Sequence, residues 1–242
     1  MLLLGLVATA LAITIRAGDM VIKADGGFSP TALPKHENAP ISIHGGGSVS
    51  TVSGALPPVI ETITLEYDRH GEVLTTGLAQ CTSGKLEAST VVDARSRCPG
   101  SIVGEGHGRG VIAFAEQRPI PVSSPITIFN GPTKHGNPTV LAHFYTTIPV
   151  PTAFVIPIEI ERINKGLYGY RTEAKIPAIA GGNGIPLAGH LEIGRKWTYK
   201  GKRYSYLNAR CENGRLQARG IFAFKDGTRL QATFARRCTV RG

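Results

Sequence analysis

The sequence predicts an antiparallel all-β protein, a β-sandwich in which 13–242 form a single domain with one short helix. The chain has 242 residues, including 30 glycines and 16 prolines, a content that disfavours long helices. Short β-branched and aromatic runs lie between turn residues at spacings typical of a sandwich. Helices do not alternate with these strands, so a parallel α/β sheet is not expected. Hydrophobic residues make up 42% of the chain, which suffices for a full core and argues against disorder.

The first segment, 1–12, reads MLLLGLVATALA and ends in small residues. This pattern is typical of a secretory signal peptide with a cleavage site. The first basic residue is Arg16, so the usual positive start is missing, and a buried first strand is the alternative. No later stretch has 18 uninterrupted apolar residues, so no membrane span is expected after signal removal. We therefore expect a secreted protein, extracellular or in the cell envelope.

The clearest predicted strands follow from residue 60. The run IETITLEY at 60–67 and the run at 72–76 flank a turn at 68–71, which predicts a hairpin. Longer apolar and β-branched runs between turn residues predict five more strands, at 102–115, 120–129, 139–147, 153–163 and 167–176.

Four cysteines, Cys81, Cys98, Cys211 and Cys238, fit an oxidising compartment. Four cysteines allow three pairings, and closeness along the chain favours Cys81–Cys98 and Cys211–Cys238. A zinc site is the alternative, but the sequence has neither a Cys-x₂-Cys pair nor a nearby histidine pair. We therefore expect disulfides, and no metal or other cofactor.

The segment between the first two cysteines has a different pattern from its surroundings. Apolar residues at 85–97 recur with helical spacing, and Thr82 or Ser83 can cap the first turn. The sequence therefore predicts one short helix, closed off at both ends by a disulfide.

The positive charge is concentrated in the last fifth of the chain. The formal net charge is +10. Residues 195–242 carry 13 Lys and Arg but only two acids, Glu212 and Asp226, whereas 1–194 carry 14 basic and 15 acidic residues. Such asymmetry indicates a polyanionic partner.

This basic segment, 195–242, predicts a meander of strands at 203–211, 215–224 and 229–238. Asn213-Gly214 is a strong hairpin signal, and Asp226-Gly227 predicts a second turn that places Phe224 opposite Thr228. Alternation puts the apolar residues and both cysteines on a core face and leaves a cationic face opposite. The predicted cationic face contains Tyr204, Tyr206, Arg210, Arg215, Arg219, Arg229 and Arg237.

A face of this composition predicts polyanion binding. Arginine forks match phosphate and carboxylate groups, and tyrosine rings stack on sugars or bases. The expected partner is an anionic cell-wall polymer or an acidic glycan. Nucleic acid is not the expected partner, because export separates the protein from the genome. The alternative is a solvated outer face whose charges discourage edge pairing.

Motifs for catalysis are scarce. The sequence contains no Gly-x-Ser-x-Gly, P-loop or His-Glu-x-x-His pattern. The run GEGHGRG at 104–110 puts glycine on one strand face and Glu105, His107 and Arg109 on the other. Such a row can do acid–base work, so a secreted hydrolase using Glu105 and His107 is the alternative function. A strained or bulged structural strand explains the same row without chemistry.

Two other titratable features have simpler interpretations. His143 lies in the apolar run VLAHFY, which predicts a hydrogen-bonded core histidine. Glu159 and Glu161 share one strand face. Paired carboxylates occur in glycosidases, but neighbours on one exposed strand are expected to be solvated.

Several stretches resemble an uncharacterised family of exported bacterial proteins. They are FNGPTKHGNPTVLAH at 129–143, IPAIAGG at 176–182, YKGKRYSYLNARC at 199–211, and FKDG with the later Cys238. The resemblance implies export and an all-β architecture, and it brings no activity and no functional residues. The sequence thus predicts a non-catalytic binding protein, with a hydrolase or a purely structural surface protein as alternatives and the oligomeric state left open.

Overall fold

The computed structural model describes residues 12–241. The predicted signal segment lies, apart from its last residue, outside the described residues. The strands are β1 Ile13–Ala17, β2 Met20–Ser29, β3 Ala32–Leu33, β4 Ala39–Thr51, β5 Ile60–Asp68, β6 Gly71–Val73, β7 Ile102–Ile112, β8 Ile120–Asn130, β9 Thr139–Thr146, β10 Thr152–Lys165, β11 Tyr168–Lys175, β12 Gly184–Ile193, β13 Lys196–Tyr199, β14 Lys202–Ser205, β15 Leu207–Ala209, β16 Arg215–Phe224, β17 Arg229–Arg237 and β18 Thr239–Val240.

One continuous antiparallel sheet dominates the molecule and confirms the predicted all-β class. Its strand order is β1-β2-β4-β12-β7-β8-β9-β10-β11-β5-β16-β17, and β15 pairs with β4 and β6 beside this path. The last strand, β17, lies against β1 and β2, and the Arg236 side chain donates a hydrogen bond to the Gly26 carbonyl of β2. The sheet therefore curves until its two ends nearly meet, so that its halves face each other across the core.

The core consists of apolar side chains from opposite halves of this sheet. Ile22 and Val49, from β2 and β4, pack against Ile60, Phe224 and Leu230 from the other end of the sheet. A second cluster fills the half formed by β7 to β11 and includes Val103, Ile128, Ile156, Tyr170 and Tyr206. Each such side chain contributes about 1.5–3 kcal/mol when fully buried.

Glycines let β7 approach β12 closely. The burial pattern of β7 alternates, with Glu105, His107 and Arg109 exposed and the glycines facing the other way, as predicted. A Cβ atom at Gly106 would overlap the carbonyl oxygen of His190, and one at Gly110 would lie 2.5 Å from that of Ile185. Side chains cannot occupy these positions without moving a neighbouring strand, so close backbone packing explains the glycine stripe.

Both predicted disulfides are confirmed. Cys81 bonds Cys98, with their Cα atoms 5.7 Å apart, and Cys211 bonds Cys238, with a Cα distance of 5.9 Å. On the chain-entropy model, closing loops of this size stabilises the fold by about 3–4 kcal/mol each.

The helical segment between Cys81 and Cys98 differs from the prediction. Two helices, α1 Ser83–Leu86 and α2 Val91–Arg97, replace the single helix expected at 85–97. Glu87 is extended and ends α1 at Leu86, and the following Ala88 has a φ of 51°. Thr90 then starts α2 with a reciprocal capping box to Asp93. The prediction of one helix was wrong because this second start signal lies inside the predicted helix. No helix within 12–241 is long and apolar enough to cross a membrane.

The predicted meander at 203–238 is only half correct. β16 and β17 form the expected hairpin, in which the Phe224 amide donates to the Thr228 carbonyl at 3.0 Å. β15, however, pairs with β4 and β6, while β16 pairs with β5 on its other side. Gly214 has a positive φ of 72° but Asn213 does not, so the type I′ turn that would join β15 to β16 does not form.

The predicted hairpin at 60–76 is also replaced by long-range pairing. β5 lies between β11 and β16, and β6 pairs with β15. These strands therefore lie close to the predicted positions in the sequence, but they pair with other strands than those predicted.

Candidate functional site

The residues predicted to form one cationic face lie in three places. Tyr204 belongs to the separate hairpin of β13 and β14, Tyr206 is 1% exposed in the core, and Arg210 follows the end of β15. Only the outer face of the β16–β17 hairpin keeps several of them together, namely Arg215, Arg219, Arg229 and Arg237.

Tyr206 is not on the surface, contrary to the prediction. The strand expected at 203–211 is interrupted at Tyr206, between β14 and β15, so alternation does not continue across this position. Burial strongly raises the pKa of Tyr206, whose hydroxyl has no hydrogen-bond partner among the described residues. Its ring is a core side chain and cannot contact a polymer.

Arg219 lies on the predicted face but is neutralised there. A ladder of alternating charges crosses four adjacent strands in register, from Glu161 on β10 through Arg171 and Glu66 to Arg219 on β16. Arg171 Nη2 donates to Glu161 Oε2 at 2.9 Å, and Arg219 Nε donates to Glu66 Oε2 at 2.7 Å. The Arg219 guanidinium also lies 4.8 Å from the centroid of the Tyr168 ring. Glu66 is only 2% exposed, so Arg219 balances a buried carboxylate.

Arg210 is likewise paired, through a cluster that the sequence did not reveal. Its Nε donates to Glu212 Oε2 at 3.2 Å, and His70 Nε2 lies 3.0 Å from the same oxygen. His70 Nδ1 contacts Asp68 Oδ1 at 2.7 Å. The hydrogen bond from Arg210 and the proximity of His70 hold the pKa of Glu212 below its usual range. Glu212 is far from Asp68 and His70 in sequence, so no local spacing indicates this cluster.

Three arginines remain free for a ligand on the β16–β17 hairpin. Arg215 lies directly opposite Arg237, and Arg229 lies near the other end of β17. All three are exposed, and none has a carboxylate within ion-pair distance in the described part of the chain. Like charges directly opposite on a sheet repel, so an anion at the Arg215–Arg237 end would remove a destabilising contact.

The side chains between these arginines are uncharged, apart from the neutralised Arg219. The outward positions are Gln217, Ile221, Ala223, Gln231, Thr233 and Ala235. Arg237 lies eight positions after Arg229 along β17, which corresponds to roughly 26 Å of strand. The free arginines thus mark out an elongated positive surface, which we call the arginine face (Arg215, Arg229 and Arg237).

Tyr204 belongs to a second basic surface on the β13–β14 hairpin. Its ring stacks against Trp197 across the hairpin, with the centroids 5.8 Å apart and the planes tilted by 17°. Sequence reasoning placed Tyr204 in the meander because the break at Tyr206 has no local signal. Tyr204 therefore belongs to a different sheet from the one that carries the arginine face.

Glu105 and His107 of the predicted catalytic row on β7 contact different neighbours. Glu105 forms an ion pair with Arg95 of α2, and the ring of His107 lies 6.0 Å from that of His190. A shallow depression of about 210 Å³ is lined by His107, Arg109 and His190 but not by Glu105. Glu105 and His107 therefore have different surroundings, and acid–base work by the two together would need direct or water-bridged contact.

His143 is a core histidine, as predicted. It is fully buried beneath the helical segment, and its Nε2 lies 3.1 Å from the Ser89 carbonyl oxygen. Burial lowers the pKa of His143, which favours the neutral form of the ring. Within residues 12–241, no group of three or more His, Cys, Asp or Glu side chains is arranged to hold a metal ion.

Comparison of the chain with protein-family models, with curated proteins and with solved structures finds no match. Functional inference therefore depends on the surfaces described above.

Proposed function

We propose that the protein is a non-catalytic binding module that works outside the cytoplasm and binds an anionic polymer through the arginine face. The observation that carries the proposal is that the charged side chains on this surface are all arginines. Every side chain directed outward from β16 and β17 is uncharged or an arginine, and within residues 12–241 only Arg219 among those arginines has a carboxylate partner.

The chemistry of the arginine face suits phosphate, sulfate or carboxylate groups carried on a chain. Guanidinium groups bind such anions bidentately. A spacing of roughly 26 Å between the two ends of the face lets one extended polymer contact both. Single exposed contacts of this kind are weak, so a polymer that engages several at once is favoured over a free ion.

The two disulfides support a location in an oxidising compartment, which is consistent with export. Anionic wall polymers and acidic glycans are the abundant polyanions there. The shape of the surface supports the same function, because the outer sides of two antiparallel strands form an open surface that a long chain can cross.

Salt-dependent binding tests this proposal. The full chain is titrated with poly(glycerol phosphate) and with heparin over a range of salt concentrations, and compared with the variant Arg215→Ser, Arg229→Ser, Arg237→Ser. At the charge density of duplex DNA, each lost contact flattens the slope of log K against log salt by about 0.9. We therefore expect the triple variant to bind more weakly and with a much flatter salt dependence.

The matched control removes the same net charge elsewhere. Lys35, Arg118 and Lys134 are exposed basic residues outside the hairpin, and their change to Ser should leave most of the binding intact. Equal losses in the two triple variants would show that net charge alone attracts the polymer. No binding of the unmodified chain at low salt would overturn the proposal and leave the hydrolase and the purely structural protein as the alternatives.

A further inference from the structure

We propose that the β13–β14 hairpin is a second binding site, specific for an acidic saccharide whose sugar ring stacks on Tyr199. This goes beyond the polymer binding proposed for the arginine face, since it involves other residues and recognises the ring as well as its charge. The site, called the aromatic hairpin, comprises residues Lys196–Tyr199 and Lys202–Ser205 with the turn between them.

The register of the hairpin places its aromatic residues on one face. Trp197 pairs with Tyr204, and Tyr199 pairs with Lys202, so alternation directs these four side chains to the same side. The turn residues Lys200 and Gly201 have φ values of 48° and 74°, the two positive angles that a type I′ turn needs. A tight turn of this type keeps the two strands in register up to the tip.

The rings are held in place before any ligand binds. Trp197 Nε1 donates to the Thr76 carbonyl at 3.1 Å, and its ring stacks on Tyr204. The Tyr199 ring rests directly on Gly77, since a Cβ atom at Gly77 would overlap the ring. One face of Tyr199 is thereby covered by backbone, and the residue remains 37% exposed. Rigid rings lose little conformational freedom on binding.

The charge around Tyr199 selects an acidic ligand. The segment 195–203 contains five basic residues, and no acidic residue occurs between Glu192 and Glu212. Lys200 Nζ lies 5.5 Å from the centroid of the Tyr199 ring, and Lys202 is the cross-strand partner of Tyr199. A sugar stacked on this ring would bring its carboxylate next to Lys200, exchanging a cation–π contact for an ion pair.

A single open ring favours a sugar over a strand of bases. Single-stranded nucleic acid is usually held by several aromatic platforms, on which successive bases stack. Here Trp197 and Tyr204 already stack on each other, which leaves Tyr199 as the one platform of the aromatic hairpin. The two disulfides also favour a sugar, because disulfides form in oxidising compartments and acidic glycans occur there.

The only tryptophan of the chain, Trp197, makes the test specific for this site. The full chain is titrated with tetragalacturonate while tryptophan emission is recorded, and the titration is repeated with the fully methyl-esterified tetrasaccharide, which has the same rings without charge. We expect a saturable change with the acid and binding several-fold weaker with the ester, since each exposed charged contact contributes up to about a factor of five.

Variants separate stacking from charge. Tyr199→Ala should weaken tetragalacturonate binding about tenfold or more, the size of a lost stacking contact, whereas Tyr199→Phe should retain it. Lys200→Gln with Lys202→Gln should weaken binding and reduce its salt dependence while the aromatic rings stay. The urea unfolding midpoint and the emission of the unliganded variants show whether the hairpin is intact.

The serine variant of the arginine face should leave this titration unchanged, so the two proposals can fail separately. The second-site proposal is overturned if the acid produces no change in emission, if acid and ester bind equally, or if the folded Lys200→Gln, Lys202→Gln variant binds as tightly as the unmodified chain. Tighter binding of a thymidine oligonucleotide than of tetragalacturonate would overturn it as well, and would assign the hairpin to single-stranded nucleic acid.

Discussion

The middle of the sheet and the end of the β16–β17 hairpin differ in whether their arginines are paired with carboxylates. In the middle, Arg171 and Arg219 each bond a carboxylate on the adjacent strand, Glu161 and Glu66 respectively. At one end of the β16–β17 hairpin, Arg215 lies opposite Arg237, and neither has a partner of opposite charge in the part of the chain that is described. The comparison teaches that a count of charges along a segment does not give the charge of a surface.

The difference arises from where β5 ends. Arg219 lies opposite Glu66, within the part of β16 that pairs with β5. The Gln217 amide still donates to the Asp68 side chain at 2.9 Å, but Arg215 lies beyond the paired length. One end of the β16–β17 hairpin therefore extends past its neighbour and loses the acidic partners that β5 provides. An arginine becomes available for a ligand because a neighbouring strand stops.

The largest expected effect comes from removing one partner of the charge ladder. Arg219→Gln leaves the buried Glu66 carboxylate without its main partner, and we expect the free energy of unfolding to fall by about 3 kcal/mol. Arg229→Gln on the same hairpin should change it by less than about 0.5 kcal/mol. Urea unfolding measures both, and similar losses would contradict the distinction between paired and free arginines.

The burial of His143 predicts that the stability of the fold depends on pH. The unfolded chain protonates His143 near its ordinary pKa of about 6.5, whereas burial gives the folded chain a lower pKa at this residue. Stability from His143 is therefore fully present above the unfolded pKa and is lost as the pH falls through the folded pKa, at up to about 1.4 kcal/mol per pH unit.

Urea unfolding between neutral and mildly acidic pH measures this loss. His143→Gln should remove most of the slope, although the variant starts from a lower stability. His107→Gln, at an exposed histidine of β7, serves as the control and should leave the slope in place. A slope that persists in His143→Gln would assign it to other groups.

A smaller effect on stability should follow from adding a carboxylate beside Arg215 and Arg237. Ala235 neighbours Arg237 along β17 and lies diagonally across from Arg215, so Ala235→Glu would supply the missing carboxylate. We expect the free energy of unfolding to rise by roughly 0.2–1 kcal/mol. We also expect weaker binding of the anionic polymer. Ala235→Gln has nearly the same shape without the charge and should bind normally. Unchanged binding by the Glu variant would place the polymer elsewhere.

The smallest expected effect concerns Arg210, the paired arginine outside the hairpin. Arg210→Gln should raise the pKa of Glu212 towards its usual range, since the hydrogen bond from Arg210 is the main cause of its lowering. NMR titration of the Glu212 side-chain carboxyl measures the shift. An unchanged pKa would mean that the nearby histidines, His70 and His36, keep the pKa of Glu212 low without Arg210.

The parts of this fold that could be predicted are those fixed by short-range geometry. Alternation along β16 and β17 was correct because a local turn joins them and sets Phe224 opposite Thr228. The disulfide pairs followed from closeness along the chain. The interior position of His143 followed from the apolar residues on both sides of it.

The parts that failed depend on distant neighbours. β15 joins β4 and β6, strands far away in sequence, and nothing within 203–211 indicates them. Likewise Glu66 meets Arg219 across a long separation, so the neutralisation of a predicted binding residue could not be read from the basic segment. β4 contains three successive glycines, Gly45 to Gly47, and gives little of the β-branched pattern by which strands are recognised.

The helical segment at 82–97, between β6 and β7, begins directly after Cys81 and ends directly before Cys98, two residues that are covalently joined. A backbone cut inside it, for example after the exposed Lys85, would therefore leave both fragments attached through sulfur. The nicked protein would migrate as an intact chain in a non-reducing gel and separate into two pieces only after reduction. This segment is in effect a covalent ring attached to the sheet, and it can be opened without dividing the molecule.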